Sequence, residues 1–311
     1  MNFEFSKERQ IDETVYYESF SKDIDYLSEF FSDLSTLLHL NGKIKSFLSV
    51  AKHYFLSDEL IKSSSQTLKS IKFCCSIGSF SDANTLIRKL RDDLIQYLWI
   101  LTVIEGRKSF TAESTKGIKL DNAEEFTKSF LNLQYNEILT DDEKALTGWF
   151  KNSVSDLNRS ERKKLEFENY MKILKQNKNI SQILIEYNLE EYWNNLRIRL
   201  NNYVHNNGIQ FSKYNFINAN DKNLETHLKN VNFRVTYISS IFLSLLLMID
   251  SSLTSSTDYI DHLECNMQPP EDSQYILAPF IQIFIDEKVY KLHPELKKYL
   301  KDNNINGMRI E

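Results

Sequence analysis

The chain has almost no proline. None precedes Pro269, and all 4 prolines (Pro269, Pro270, Pro279 and Pro294) lie near the C-terminus. Proline breaks helix interiors because it lacks an N–H and its ring clashes with the preceding turn. A long proline-free stretch with periodic apolar residues therefore predicts helix after helix. Glycine is also scarce, with 7 in 311 residues. Gly42, Gly78, Gly106 and Gly208 each follow a periodic segment, where a left-handed C-cap is expected. The only cysteines are Cys74, Cys75 and Cys265. Two are adjacent and the count is odd, so no disulfide framework or CxxC site is visible, and buried thiols are expected.

Other absences narrow the function. The first residues, MNFEFSKERQ, are charged and lack the apolar core of a secretory signal. The most apolar run, Val235 to Ile249, includes Ser239, Ser240 and Ser244 and falls short of the roughly 20 residues of a spanning helix. A buried core helix, a cytoplasmic location and no membrane are expected. There is no P-loop, GxGxxG, HExxH, GxSxG or paired Cys/His pattern. With 6 scattered histidines, no cofactor and no metal are expected. A net charge of −5 argues against nonspecific coating of nucleic acid. It still permits an enzyme that touches RNA at one spot.

The residues that are present build a core. Hydrophobic residues make up 41% and aromatics 13%, which excludes wholesale disorder. Lysine outnumbers arginine, and Asn and Ile are plentiful, as in AT-rich bacterial coding sequences. Phe20, Ile24, Leu27, Phe31, Leu34 and Leu38 form one helical face. Ile44, Phe47, Leu48, Ala51 and Phe55 suggest a shorter helix over 43–55. A third helix is expected over about 58–77. A long fourth carries Leu86, Leu90, Leu94, Tyr97, Leu101 and Ile104. Residues 107–121 read as a loop, followed by three or four helices to about 187. The helix near 159–178 holds Arg159, Arg162, Lys163, Lys164, Lys172 and Lys175, a solvated face or an RNA-contacting one. Helices follow over about 189–206 and 222–250. A tail then holds two short helices, at Ile276–Val289 and Pro294–Leu300.

One constellation carries chemistry. In Leu196-Arg-Ile-Arg-Leu-Asn-Asn-Tyr-Val-His-Asn-Asn-Gly208, five residues separate Arg199 from His205. This resembles the Arg-x(4–6)-His motif of the HEPN superfamily. A second segment, Ala83 to Ile100, resembles the helix in related proteins that carries an Arg followed four residues later by an acid. Arg88 and Asp92 match that spacing, with Asp93 as an alternative.

The resemblance implies an all-α fold with a HEPN-like four-helix bundle core from about 58–106 and 188–250. Residues 1–57 would form an N-terminal helical layer. The core would span 58–253 with a helical insertion at about 107–187, and 254–311 would be a C-terminal extension. The activity implied is that of a metal-independent endoribonuclease of a bacterial toxin or anti-phage defence system. Arg199 and His205 would be catalytic, with Asn201, Asn202, Arg88 and Asp92 in support. The 2′-OH would attack the adjacent phosphate to give a 2′,3′-cyclic phosphate and a 5′-OH. His205 would move the proton, and Arg199 would stabilise the developing charge. The implied partners are an RNA substrate, a second copy sharing a composite site, and an antitoxin or a regulatory RNA or protein.

Helix geometry constrains that site. Six positions rotate a helix by about 240° and climb about 9 Å. Arg199 therefore flanks the apolar stripe of Tyr192, Trp193, Leu196, Leu200, Tyr203 and Val204, while His205 points to the polar side. Either the helix unwinds near His205, or the two residues come from different copies of the chain. The competing reading is a non-catalytic helical interaction or sensor subunit of a defence complex. In it, His205 only caps a helix and Arg88–Asp92 is a surface pair.

Overall fold

A computed structural model describes residues 10–42, 45–48, 53–107, 122–131 and 138–311. The chain is predominantly helical. Helix α1 (Val15–Asn41) starts at Thr14, whose hydroxyl accepts the Tyr17 amide. All six apolar positions expected on its inner face are buried. Helices α2 (Glu59–Ser76) and α3 (Phe80–Gly106) follow as an antiparallel pair.

Between α1 and α2 the expected helix over 43–55 is replaced by a hairpin. Strands β1 (Ser46–Leu48) and β2 (His53–Phe55) pair antiparallel, with Phe47 opposite Tyr54. Tyr54 and Leu56 are buried while Phe55 is exposed. That alternation is the period of a strand, and so short a helix is marginal on its own. The loop expected over 107–121 lies outside the described residues beyond Arg107.

The insertion divides into short helices: α4 (Ala123–Leu131), α5 (Asp141–Phe150), α6 (Arg159–Lys163), α7 (Phe167–Leu174) and α8 (Lys178–Glu186). The single basic helix expected near 159–178 is therefore three pieces. Asn158 and Asn177 cap α6 and α8 with their side-chain oxygens, and asparagine favours such caps over helix interiors. Several of the basic side chains are already engaged. Lys164 pairs with Asp142 and Lys175 with Glu190, while Arg162 donates to the Leu157 carbonyl.

Helix α9 (Leu189–Val204), the short α10 (Ile209–Lys213) and α11 (Leu224–Asp250) follow. From Val235 onward α11 is buried nearly all round. Within Leu224–Thr254 it is long and apolar enough to cross a membrane, yet 83% of its most apolar window is buried inside the protein. It is a core helix. Two of its inner hydroxyls are satisfied locally, since Ser239 and Ser244 donate to the carbonyls four residues back, while the Ser240 hydroxyl has no partner among the described residues. Helices α1, α2, α3 and α11 pack together, and α9 lies along α3. Phe242 of α11 meets Phe31 of α1 and Tyr97 of α3, so one ring joins three walls. The expected core helices are all present, and α1 is built into the same core.

The tail comprises α12 (Asp258–Glu264), α13 (Pro279–Phe284), a π-helical stretch (Ile285–Val289), α14 (Tyr290–Leu292) and α15 (Pro294–Asn303). Helix α13 begins at Pro279 rather than at 276, because proline suits the first helical turn. Phe284 stacks on Phe30 of α1 at 3.9 Å and ties the tail to the bundle. Buried apolar residues form one cluster that runs from Ile11 to Ile310.

Of the glycines expected as left-handed caps, Gly42 lies in the right-handed region and Gly106 is the last residue of α3. Gly78 does close α2, at φ 78, with the Ser79 amide reaching back to the Cys74 carbonyl (2.8 Å). It also lets the segment after α10 come close, because a Cβ on Gly78 would overlap the Ile217 carbonyl oxygen. Gly78→Ala should destabilise the chain by more than about 1 kcal/mol in denaturant unfolding. An unchanged midpoint would show that this contact is not built as described.

Candidate functional site

The segment after α9 is held against the start of α3. The Phe80 amide donates to the Tyr214 carbonyl (2.9 Å). The side-chain oxygen of Asn215 accepts from the Ser81 amide (2.9 Å), the Asp82 amide (3.3 Å) and the Ser79 hydroxyl (3.1 Å). The first turn of α3 is thus capped by a residue more than a hundred positions away. That clamp closes one side of a cleft.

The cleft has a volume of about 720 Å³. Its walls come from the start of α3, one face of α9, α10 and the start of α11. Phe80, Tyr192, Tyr203, Phe211 and Tyr214 supply aromatic surface, and Asn84, Asn195, Asn202, Gln210 and Asn230 supply amides. Leu196, Ile198, two arginines (Arg199 and Arg234) and one histidine, His227, complete the lining.

Arg234 is the least expected member. It is only 5% exposed, and its guanidinium donates to the Asn84 side-chain oxygen. Asn84 is held in turn by its own amide, which donates to the Phe80 carbonyl (2.6 Å). The guanidinium also lies 5.9 Å from the Tyr203 ring centre. Neither Arg234 nor Arg199 has a carboxylate partner among the described residues. A buried cation without a counter-ion costs several kcal/mol, so such a group is retained where an anion completes it. Both arginines act on Tyr192: burial raises its phenol above the usual value, and Arg234 and Arg199 pull it down.

His227 packs between the rings of Phe80 and Tyr214, each 5.2 Å away. Burial lowers its pKa below 6.5; Asp221 opposes that shift and Arg234 adds to it. The imidazole therefore stays neutral at a lower pH than an ordinary histidine. His227, Asn230 and Arg234 stand at positions i, i+3 and i+7 of α11, one face of the helix. The sequence reading missed this polar stripe. Its signal was a stripe of three polar residues on one face, set among the other polar residues with which the helix begins.

The residues predicted from the motif divide. Arg199 and Asn202 line the cleft. His205 does not; it is the exposed C-cap of α9. The helix does unwind there: Asn206 is left-handed at φ 46, and the Asn207 amide bonds the Asn202 carbonyl (3.0 Å). That turn does not bring His205 to the wall that carries Arg199. The Asn202 side chain also accepts from Asn207 (3.1 Å). The Asn201 oxygen is buried without a partner. Arg88 and Asp92 stand 3.5 Å apart outside the cleft lining. Asp92 also accepts from buried Arg91, whose guanidinium lies 4.4 Å from the Phe167 ring centre. That one carboxylate is shared between two arginines.

The depressed His227 pKa makes a stability prediction. Below pH 6.5 the unfolded chain binds this proton more readily than the folded one, so stability is present above that value and is lost as pH falls. Asp221, Arg234 and Arg199 are the charged groups around the ring, and Tyr192, Tyr203 and Tyr214 share the cleft with it. Urea unfolding should show a steeper loss between about pH 7 and pH 5 for the parent than for His227→Gln. Equal slopes would mean that the ring titrates normally. Compared with protein-family models, curated proteins and solved structures, the chain has no match.

Proposed function

We propose that the protein is a metal-independent endoribonuclease, cytoplasmic and of a bacterial toxin or anti-phage defence type, with the RNA phosphate seated in the cleft between α9 and α11. One observation carries the reading: two guanidiniums, buried Arg234 and exposed Arg199, have no carboxylate partner among the described residues and line the same cleft as an imidazole. Arginines positioned this way bind a phosphate and stabilise the charge that builds on it. The aromatic walls offer stacking surface for unpaired bases, and the asparagines offer donors and acceptors for base edges. The reaction would be 2′-OH attack on the adjacent phosphate, giving a 2′,3′-cyclic phosphate and a 5′-OH. Two imidazoles are candidates to move the proton. His227 lines the cleft, while exposed His205 would have to act from a second copy in a composite dimer. An antitoxin or a regulatory RNA or protein would control the activity.

A second reading is a non-catalytic interaction or sensor subunit. It is favoured by the position of His205 outside the cleft, by exposed Ile209 and Phe216 on and just after α10, and by exposed Ile198 of α9 in the cleft wall.

The test is cleavage of a labelled oligoribonucleotide by the purified chain in EDTA. The parent should cut it, and Arg199→Ala should lose about 10²–10³ in rate, as when one charge-stabilising donor is removed. Expression of the parent should also arrest growth. RNA that is bound but left intact would favour the second reading. Cleavage at the parental rate by Arg199→Ala would contradict the first.

A further inference from the structure

The endoribonuclease reading leaves open which histidine works and whether one chain suffices. We infer that His227 is the general base and that Arg234, seven positions further along the same face of α11, joins Arg199 to clamp the phosphate, so that a single chain carries a complete site. The inference rests on the endoribonuclease reading.

Seven positions are nearly two full turns, so His227 and Arg234 point the same way about 10 Å apart along the axis. Arg199 faces them from α9 across the cleft. A strand entering between the two helices would meet guanidiniums from both sides and an imidazole at one end. The arrangement is rigid. Arg234 is fixed by Asn84, Asn84 by the Phe80 carbonyl, and the start of α3 by Asn215. His227 is flanked by Phe80 and Tyr214. No hydrogen bond engages its ring nitrogens among the described residues, and they are not sealed from the cleft. The ring therefore has a free nitrogen for a substrate hydroxyl. His205, by contrast, is solvent-facing at the end of α9, and among the described residues no neighbour orients its ring.

The step balances with solvent as the only co-reactant. Neutral His227 takes the proton from the ribose 2′-OH as the 2′-oxygen bonds to phosphorus. The bond from phosphorus to the 5′-oxygen breaks, and the leaving 5′-oxygen takes a proton from water. Imidazolium then returns its proton to solvent. Nothing is oxidised or reduced.

The experiment uses the full chain, a fluorescent single-stranded oligoribonucleotide in EDTA, and an uncleavable 2′-deoxy copy for affinity. His227→Gln should lose about 10²–10⁴ in cleavage rate, the usual contribution of a general base. It should hold the 2′-deoxy strand within about twofold of the parent. Added imidazole should restore cleavage to His227→Ala, which a merely structural role for the ring would not allow. The parental kcat/KM should rise through a limb below pH 6.5, set by His227 among Asp221, Arg234, Arg199, Tyr192, Tyr203 and Tyr214. His205→Gln should cleave within about threefold of the parent. Parental cleavage by His227→Gln overturns the assignment alone, and so does loss confined to His205→Gln. An absence of cleavage by the parent overturns the endoribonuclease reading and the assignment together.

Discussion

A buried guanidinium with no counter-ion among the described residues is the constraint around which the cleft is organised. Arg234 sits where α11 passes from a one-sided helix to one enclosed on every side. Further along, the helix needs nothing but apolar neighbours, and α1 and α3 provide them. At Arg234 it needs an oxygen. Asn84 supplies one, and supplying it fixes the start of α3 against α11. The cap that Asn215 places on α3 then pulls the segment after α10 into position. Each of these contacts satisfies a polar group that burial would otherwise penalise by about 1–3 kcal/mol. Their common result is a cleft that stays open, polar and positively charged in a chain whose net charge is −5.

The two buried arginines of the region make an instructive contrast. Arg91 pairs with the adjacent Asp92 through two of its nitrogens and lies over Phe167, where α3 packs against α7. Arg234 has an amide instead of a carboxylate and lies in a cleft wall. The first is what a structural arginine looks like; the second suits a ligand. Arg88 and Asp92 belong with the first kind, since Asp92 is shared between Arg88 and Arg91.

Much of the fold was legible because helical periodicity is a local signal. The inner face of α1 and the long runs of α3 and α11 all read correctly from apolar spacing. The strand pair Ser46–Leu48 and His53–Phe55 did not, because a handful of apolar residues fits either period and only burial of Tyr54 and Leu56 decides between them. The basic segment misread as one helix is broken by asparagine caps whose effect depends on neighbouring turns. The site was half legible. Arg199 was singled out through its motif, and it lines the cleft. His227 and Arg234 were overlooked because their meaning comes from Asn84 and Tyr214, far away in sequence. His205 was chosen by spacing, and spacing along a helix says nothing about which face meets a cavity.

The central claim is that this cleft cuts RNA by internal attack of the 2′-oxygen, and the ends of the cut strand report on it most directly. RNA incubated with the purified chain in EDTA should yield 5′-fragments ending in a 2′,3′-cyclic phosphate and 3′-fragments beginning with a 5′-OH, resolved by mass spectrometry. Fragments ending in a 3′-OH and beginning with a 5′-phosphate, or RNA recovered intact, would contradict it.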